Sequence, residues 1–429
     1  MLIATINRYF MSKSAFPFRY HSSPIYTKLV FSFALRQKIC IFVRMKIKNK
    51  AGIYALIAFV LAACTGNKSS ETASVDTSNV IKIGEVGSMT GSEATFGSST
   101  HNGIALAVEQ INEAGGINGK KIQLITMDDQ GKPEEASTAV TKLVTQDKVV
   151  AILGEVASSR SMAMAPVAQK YKVPMISPSS TNPRVTEMGD YIFRVCFIDP
   201  FQGTVMARFA LETLKLKNVA VLRDVKNDYS VGLADFFTKT FTAGGGKIVV
   251  DQSYSAGDID FKSQLTSIKG KNPEAIFVPG YYTDVGLIAR QAKELKVSVP
   301  LLGGDGWDSP KLYEIGGDSI NGSYFSNHYS VEDKSPVVQD FIAKYKSKYN
   351  QVPDGLAAMG YDAMKVLENA MKTAKSLEGK DLRDAIAATK NYQAVTGVIT
   401  LDEKRNAKKA AVVLKVDGSN FKYSTTIQP

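Results

Sequence analysis

Two clusters of hydroxyl side chains are the first residues in this chain that could bind a ligand. Ser158 and Ser159 follow an apolar run that ends in a glycine, at the position where a helix should begin. Ser179, Ser180 and Thr181 follow the next apolar run, one strand–helix–strand unit later. In an open parallel sheet both clusters would lie at the carboxyl ends of strands, where ligands of such sheets bind. Hydroxyl groups and free N–H groups at helix starts favour a small anion such as a carboxylate, although either cluster alone could simply cap a helix.

Loop residues after other predicted strands supply groups of a different kind. Phe96, Tyr229 and Tyr281 each follow a different predicted strand, and Asp305 follows another within the segment GGDGW. Each of them alone would be an ordinary loop residue. Together with the hydroxyl clusters they suit a zwitterion, because hydroxyls can hold its carboxylate, Asp305 its ammonium and the aromatic rings its side chain.

The patterns of common catalytic and cofactor sites are missing from the sequence. Beyond residue 63 the histidines are His101 and His328, which are far apart and have no carboxylate-rich neighbours along the chain. There is no G-x-S-x-G nucleophile motif and no paired Cys or His spacing typical of zinc. The glycine-rich segments near Gly91 and Gly119 lack the spacing of a dinucleotide fingerprint or a phosphate loop. We therefore expect a protein that is not an enzyme and that holds no cofactor or metal.

A secretory leader is predicted well inside the chain. Met45 begins a basic segment, residues 53–60 are apolar, and two alanines then precede Cys64. A small-residue cleavage site followed by cysteine resembles the lipobox of bacterial lipoproteins. Cys64 would then be the acylated first residue, residues 1–63 would be removed, and translation would start at Met45. The polar residues 64–79 are predicted to form a flexible tether.

The net charge of +11 comes almost entirely from residues 1–63. Residues 1–63 contain ten of the 52 Lys and Arg residues and none of the 41 Asp and Glu residues, which leaves 42 basic against 41 acidic residues in 64–429. A nearly neutral chain gives no reason to expect nucleic acid as a partner. Of the three cysteines only Cys196 lies beyond Cys64, so we expect no disulfide framework.

From residue 80 onward the hydrophobic pattern alternates between strands and helices. This alternation predicts an α/β fold with mainly parallel sheets in two successive units. The tail differs, since it predicts three helices between residues 335 and 389 and then a pair of strands over 395–401 and 410–416. Helices followed by strands after two α/β units suggest that the chain returns once to each domain.

The chain from residue 80 onward resembles the leucine/isoleucine/valine-binding type of periplasmic substrate-binding protein of ABC transporters. The resemblance is carried by the segments IKIGEVGSMTG, INEAGGINGKKI, LGEVASS, VPMISPSSTNP, NDYSVGLA, PGYYTDVGLIARQAKELK and TGVITLDE. It implies a two-lobed type I periplasmic-binding-protein fold, with a mainly parallel, helix-flanked sheet in each lobe, three crossings and a ligand in the cleft. We assign residues 80–198 and 329–389 to the N-terminal lobe, and residues 199–328 and 390–429 to the C-terminal lobe.

The resemblance also implies which residues hold the ligand's carboxylate. Ser158 and Thr181 would bind it, helped by the backbone around Ser179 and Ser180. Serines at 179 and 180 stand where the familiar pattern has alanines, which implies a more polar pocket.

The remaining site residues would face the ligand's ammonium and its side chain. Asp305, where the family often has glutamate, would face the α-ammonium together with Tyr281. The side-chain pocket would be lined by Phe96, Val156, Ala157, Tyr229 and Leu356.

The function implied is that of a lipid-anchored receptor outside the cytoplasm of a bacterium. It would capture an aliphatic amino acid, with branched-chain amino acids first, and deliver it to the permease subunits of an ABC transporter. Two alternatives stay open: a binding protein for amides, urea or small carboxylates, and a ligand-sensing module that acts with a partner in trans.

Overall fold

The computed structural model describes residues 80–429, so the expected leader, Cys64 and the tether lie outside the described residues. The described part alternates strands and helices as expected. The strands are β1 (Val80–Gly87), β2 (Lys121–Asp128), β3 (Ala151–Leu153), β4 (Met175–Ser177), β5 (Ile192–Arg194), β6 (Asn218–Asp224), β7 (Lys247–Tyr254), β8 (Ala275–Phe277), β9 (Leu301–Gly303), β10 (Tyr324–Asn327), β11 (Tyr392–Ala394), β12 (Gly397–Leu401), β13 (Ala407–Lys408), β14 (Ala411–Asp417) and β15 (Asn420–Ile427). The α-helices are α1 (Ala94–Glu113), α2 (Pro133–Lys142), α3 (Ser158–Tyr171), α4 (Arg184–Glu187), α5 (Asp199–Arg208), α6 (Asp228–Ala243), α7 (Lys262–Lys269), α8 (Tyr282–Glu294), α9 (Lys311–Gly316), α10 (Pro336–Tyr349), α11 (Gly355–Thr373) and α12 (Gly379–Ala387).

Two sheets form the centres of two lobes. The first sheet has five parallel strands in the order β2-β1-β3-β4-β5. The second has seven strands in the order β15-β14-β10-β9-β8-β6-β7, in which every pairing is parallel except those of β14 with β10 and with β15. The expected fold class is therefore confirmed. It follows from fully buried short strands such as β3, β4 and β8, which need helices on both faces.

The tail of the chain departs from the expectation in one respect. The prediction paired residues 395–401 with 410–416, but β12 pairs with β11 and β13 in a small antiparallel sheet, whereas β14 joins the second large sheet between β10 and β15. Ile399 and Leu401 pack in the same apolar core as Ile81 of the first lobe. The segment 392–408 therefore packs with the first lobe, and the second lobe takes up the chain again only at β14. Consequently, assigning all of 390–429 to the C-terminal lobe was wrong for β11–β13.

Close backbone approaches fix the first lobe. A Cβ on Gly103 of α1 would lie 1.9 Å from the carbonyl oxygen of Ala357 in α11, so glycine lets these two helices pack in contact. Gly154 ends β3 with φ of +118°, and a Cβ there would lie 2.1 Å from the carbonyl oxygen of Val86.

The chain crosses between the lobes three times, after β5, after β10 and after β13. Each lobe keeps its own apolar core, and the first-lobe residues Phe96, Val156 and Leu356 reach into the core cluster of the second lobe. Within residues 80–429 no helix combines the length and apolar character needed to span a membrane.

Candidate ligand-binding cleft

A narrow cavity lies between the lobes at the carboxyl ends of strands from both sheets. Seven of the ten residues expected at the site line it, and so does Leu356. Gly306 joins them although the sequence did not single it out. The cavity is lined by Phe96, Val156, Ser158, Ser179, Tyr229, Tyr281, Asp305, Gly306 and Leu356.

The hydroxyl side of the cavity is built on the ends of β3 and β4. Ser158 is the first residue of α3, and its Oγ accepts a hydrogen bond from the Asn182 N–H at 3.1 Å. No side chain caps this helix start, so its first N–H groups remain available to an anion. Thr181 is buried but does not line the cavity.

Ser180 and Ala157 do not line the cavity. The Ser180 hydroxyl donates toward the carbonyl oxygens of Glu155 at 3.0 Å and Val156 at 2.9 Å, and it lies 2.8 Å from Ser161 Oγ. These bonds tie β4 to the end of β3. The expectation that Ser180 makes the pocket more polar is therefore wrong for its side chain, whereas Ser179 does face the cavity.

Asp305 reaches the cavity from a single 3₁₀ turn, Asp305–Trp307, which follows β9. The fully buried indole of Trp307 fixes this turn by donating to the carbonyl oxygen of Val278 at 3.0 Å. The Asp305 side chain is itself buried. Its Oδ1 accepts from Gln202 Nε2 at 2.7 Å, and its Oδ2 accepts from Ser179 Oγ at 3.2 Å and lies 3.0 Å from His328 Nε2.

His328 lies fully buried at the second crossing, where its ring stacks on Phe197 with centroids 4.0 Å apart. Burial lowers the pKa of His328, while its hydrogen bond to Asp305 and the charge of that carboxylate act in the opposite direction. Ser179 and Asp305 both approach the same ring nitrogen, Nε2, at 3.5 and 3.0 Å. A Ser–His–Asp catalytic triad uses both ring nitrogens, so these three residues do not form one.

Neither histidine has carboxylate-rich neighbours along the chain, but the fold brings a carboxylate to each of them. His328 pairs with Asp305, and His101 Nδ1 lies 2.8 Å from Glu85 Oε2. Both pairs join residues that lie many positions apart, 23 and 16 respectively, so a search along the chain could not detect them. Residues 80–429 contain no cluster of three His, Cys, Asp or Glu side chains arranged to hold a metal ion.

Aromatic rings form the wall opposite the hydroxyl side. The rings of Tyr229 and Tyr281 stack with centroids 5.5 Å apart, and Phe96 meets Tyr281 edge-on at 5.2 Å. Tyr229 Oη also accepts a hydrogen bond from the Gly306 N–H at 3.2 Å, which ties the wall to the Asp305 turn. The wall is apolar and of fixed shape, as a pocket for a small side chain requires.

Direct bonds between the lobes close the cleft at its rim. Ser159 Oγ of the first lobe donates to Asp228 Oδ2 of the second at 2.8 Å. On the far side Thr95 Oγ1 lies 2.9 Å from Ser309 Oγ, and Thr283 Oγ1 donates to the Ser92 carbonyl oxygen at 2.7 Å. The structure is therefore that of a closed cleft.

Comparison with known proteins agrees with this architecture. Residues 80–420 match the family described as "Periplasmic binding protein". The chain belongs to this family. Among relatives of this periplasmic binding protein, the leucine-, isoleucine-, valine-, threonine- and alanine-binding protein of Pseudomonas aeruginosa is 31% identical over 84% of this chain and 95% of its own length. The Leu/Ile/Val-binding protein BraC3 of Rhizobium johnstonii is 33% identical over 75% of this chain and 88% of its own length.

Solved structures of similar proteins share the fold. The leucine-binding protein LivK of Thermotoga maritima is 41% identical with a TM-score of 0.78, covering 81% of this periplasmic binding protein and 99% of its own chain. LivJ of Streptococcus pneumoniae, solved with isoleucine, is 35% identical with a TM-score of 0.78, covering 82% and 100%. A solute-binding protein of Rhodopseudomonas palustris, solved with 3,4-dihydroxybenzoic acid, is 28% identical with a TM-score of 0.73, covering 82% and 98%.

Proposed function

We propose that this periplasmic binding protein captures an aliphatic amino acid, with leucine, isoleucine and valine first, for uptake by an ABC transporter. One observation carries the proposal: buried hydroxyls and an uncapped helix start face a buried carboxylate across a small aromatic-walled cavity. That arrangement suits a molecule with a carboxylate at one end, an ammonium beside it and a short apolar side chain.

Each group of residues then has a distinct role. Ser158 and the N–H groups that open α3 hold the α-carboxylate. Asp305, with Ser179 and Tyr281 nearby, receives the α-ammonium. Charge-assisted hydrogen bonds contribute about 1.5–3 kcal/mol each, so a few of them with a buried side chain reach the roughly −8 kcal/mol of micromolar binding.

Ligand-dependent stabilisation tests the proposal directly. The purified protein, unfolded and refolded to remove any bound ligand, is heated with each amino acid and with amides, urea and small carboxylates. A true ligand at a hundred times its Kd adds about 2.7 kcal/mol of stability. We expect leucine, isoleucine and valine to raise the Tm most. No response to any amino acid would refute the proposal, and recovery of a chemically altered ligand would show turnover instead of capture.

A small carboxylate without an amine is the second candidate ligand. The observation that favours it is that Asp305 already has three partners within the protein, Gln202, Ser179 and His328. The neighbour from Rhodopseudomonas palustris was solved with such a molecule. Stabilisation by aromatic or aliphatic acids but not by amino acids would select this candidate.

The lipid anchor and the permease belong to the same proposal. A binding protein held at the membrane by lipid on Cys64 would hand its ligand to permease subunits there. Metabolic labelling with a radioactive fatty acid should mark the protein, and Cys64→Ser should abolish the label and release the protein from the membrane. Equal labelling of the wild-type protein and the Cys64→Ser variant would contradict a lipid anchor at Cys64.

A further inference from the structure

Asp305 is a short side chain whose carboxylate is oriented by hydrogen-bond donors from the protein itself. Gln202 Nε2 donates to Oδ1 at 2.7 Å, and Ser179 Oγ to Oδ2 at 3.2 Å. His328 Nε2 lies 3.0 Å from Oδ2 and completes the set. A carboxylate offers about four acceptor positions, so three internal donors leave room for one more, such as an ammonium. The three donors come from α5, from the segment after β4 and from the second crossing.

The protonation state of His328 decides whether its bond to Asp305 helps or opposes a cationic ligand. Its Nδ1 is buried and has no hydrogen-bond partner within residues 80–429. A proton on Nδ1 would therefore be an unpaired buried donor, which is costly. The nearby ammonium of Lys409 at the third crossing disfavours a second positive charge further. The ring is thus neutral, with its single hydrogen on Nε2 and directed at Asp305.

We propose that His328 is a positioning residue for ligand recognition: as a neutral Nε2–H donor it holds Asp305 toward the cleft without cancelling the negative charge that attracts an ammonium. Stacking on Phe197 keeps the ring in the plane that this bond needs. The inference rests on the proposed function, because it assigns His328 to the recognition of an α-ammonium group.

The same geometry makes binding sensitive to acid. A protonated His328 would form an ion pair with Asp305 and compete with the ligand's ammonium, so affinity should fall as the pH drops through the titration of His328. Because burial lowers the pKa of His328, this loss occurs below the ordinary histidine range.

Asp199, Lys409 and Cys196 keep their charge in that window, whereas burial raises the pKa of Asp308 to about 7 and that of Asp354 to about 6. Burial raises the pKa of Asp199 to about 8, so it stays protonated, and lowers the pKa of Lys409 to about 8, so it stays charged. Burial raises the pKa of Cys196 to about 12, so it stays a thiol. Asp129, beside Glu155 in the first lobe, has a pKa raised by burial to about 7 and titrates nearby, so the test needs a variant that removes only the histidine.

Two variants of His328 separate positioning from packing. His328→Phe keeps the stack on Phe197 and removes the donor, whereas His328→Gln keeps a donor and cannot titrate. Leucine binding is measured by calorimetry for both variants, for Asp305→Asn and for the double variant His328→Phe/Asp305→Asn, at pH 7.5 and 5.5.

We expect His328→Phe to raise the Kd for leucine at pH 7.5 by about tenfold or more, but by less than about twofold when Asp305 is already Asn. His328→Gln should bind within about threefold of wild type at pH 7.5. It should also lose most of the wild-type rise in Kd between pH 7.5 and 5.5.

The inference is overturned if His328→Phe raises the Kd for leucine by the same factor in the wild type and in Asp305→Asn. It is also overturned if the Kd of wild type and that of His328→Gln change in the same way with pH. If His328→Phe does not fold, the His328→Gln profile alone decides. If the wild-type protein binds no amino acid, the proposed function itself fails, an outcome that differs from either of these.

Discussion

The two sides of the cleft are built in different ways. On the first-lobe side, Ser158 is held by Asn182, only 24 residues further along the chain. On the second-lobe side, Asp305 is held by Gln202, 103 residues away, and by Ser179, 126 residues away. The first side is a local strand–helix motif that any α/β sheet presents. The second is assembled only when three distant segments meet.

In the proposed binding mode the two sides also differ in how they oppose the charges of the ligand. Several neutral hydroxyl and N–H groups share the anion on the first-lobe side, so each contributes a modest part. A single buried carboxylate opposes the cation on the second-lobe side, so its loss leaves a buried ammonium without a partner. Single substitutions should therefore weaken binding more at Asp305 than at any one hydroxyl.

The largest effect should follow Asp305→Ala. We expect amino-acid binding to weaken by about 2–5 kcal/mol, because the ligand's ammonium loses its buried partner. Titration calorimetry with leucine measures it, and Asp417→Ala, at an exposed position of β14, is the control. An unchanged Kd for Asp305→Ala would remove the proposed contrast between the two sides.

Ser180→Ala should affect stability instead of binding. Its hydroxyl ties β4 to the carbonyl oxygens at the end of β3, and losing buried hydrogen bonds of this kind costs about 1–3 kcal/mol of the free energy of unfolding. Urea denaturation measures that loss, and the leucine Kd should stay within about twofold of wild type. A large rise in Kd at unchanged stability would show that Ser180 contacts the ligand after all.

Ser158→Ala should give the reverse result on the same side of the cleft. We expect binding to weaken by about 1–2 kcal/mol through the loss of one bond to the carboxylate. The unfolding midpoint of the ligand-free protein serves as the check on structure. Binding that is as strong as in wild type would place the anion elsewhere.

The smallest effect should come from the rim of the cleft. Asp228→Ala removes the bonds that Ser159 Oγ and Arg184 of the first lobe make to its carboxylate, and exposed contacts of this kind contribute about 0.5–1 kcal/mol. Stopped-flow measurements should show faster ligand release with a nearly unchanged rate of binding. Asp235→Ala, on the same helix but paired with Arg223 of its own lobe, should leave both rates unchanged.

The contrast between the two sides also explains what the sequence could and could not predict. Alternating hydrophobic patterns predicted the two-lobed α/β fold, and glycine-punctuated strand ends predicted that Ser158, Ser179 and Asp305 lie at one edge. The same reasoning placed Ser180 at the cavity, because a run of three hydroxyl residues does not reveal which of them turns toward the backbone.

Residues that act through long-range contacts escaped prediction. Gln202 lies in the first turn of α5, where the only sequence signal is its spacing of three residues from Asp199. His328 follows β10, a four-residue strand that was not predicted. Long-range contacts also explain why β11–β13 were assigned to the wrong lobe. The pairing of three short strands depends on which apolar core they reach and not on their own composition.

The three crossings between the lobes have a consequence for how the chain is made. The first lobe lacks α11 and β12 until residue 401 has been synthesised, and the second lacks β14 until residue 417. Neither lobe can close its core while the chain is still emerging from the ribosome. A chain ordered in this way stays unfolded until synthesis is nearly finished, which is the form that a secretion channel accepts.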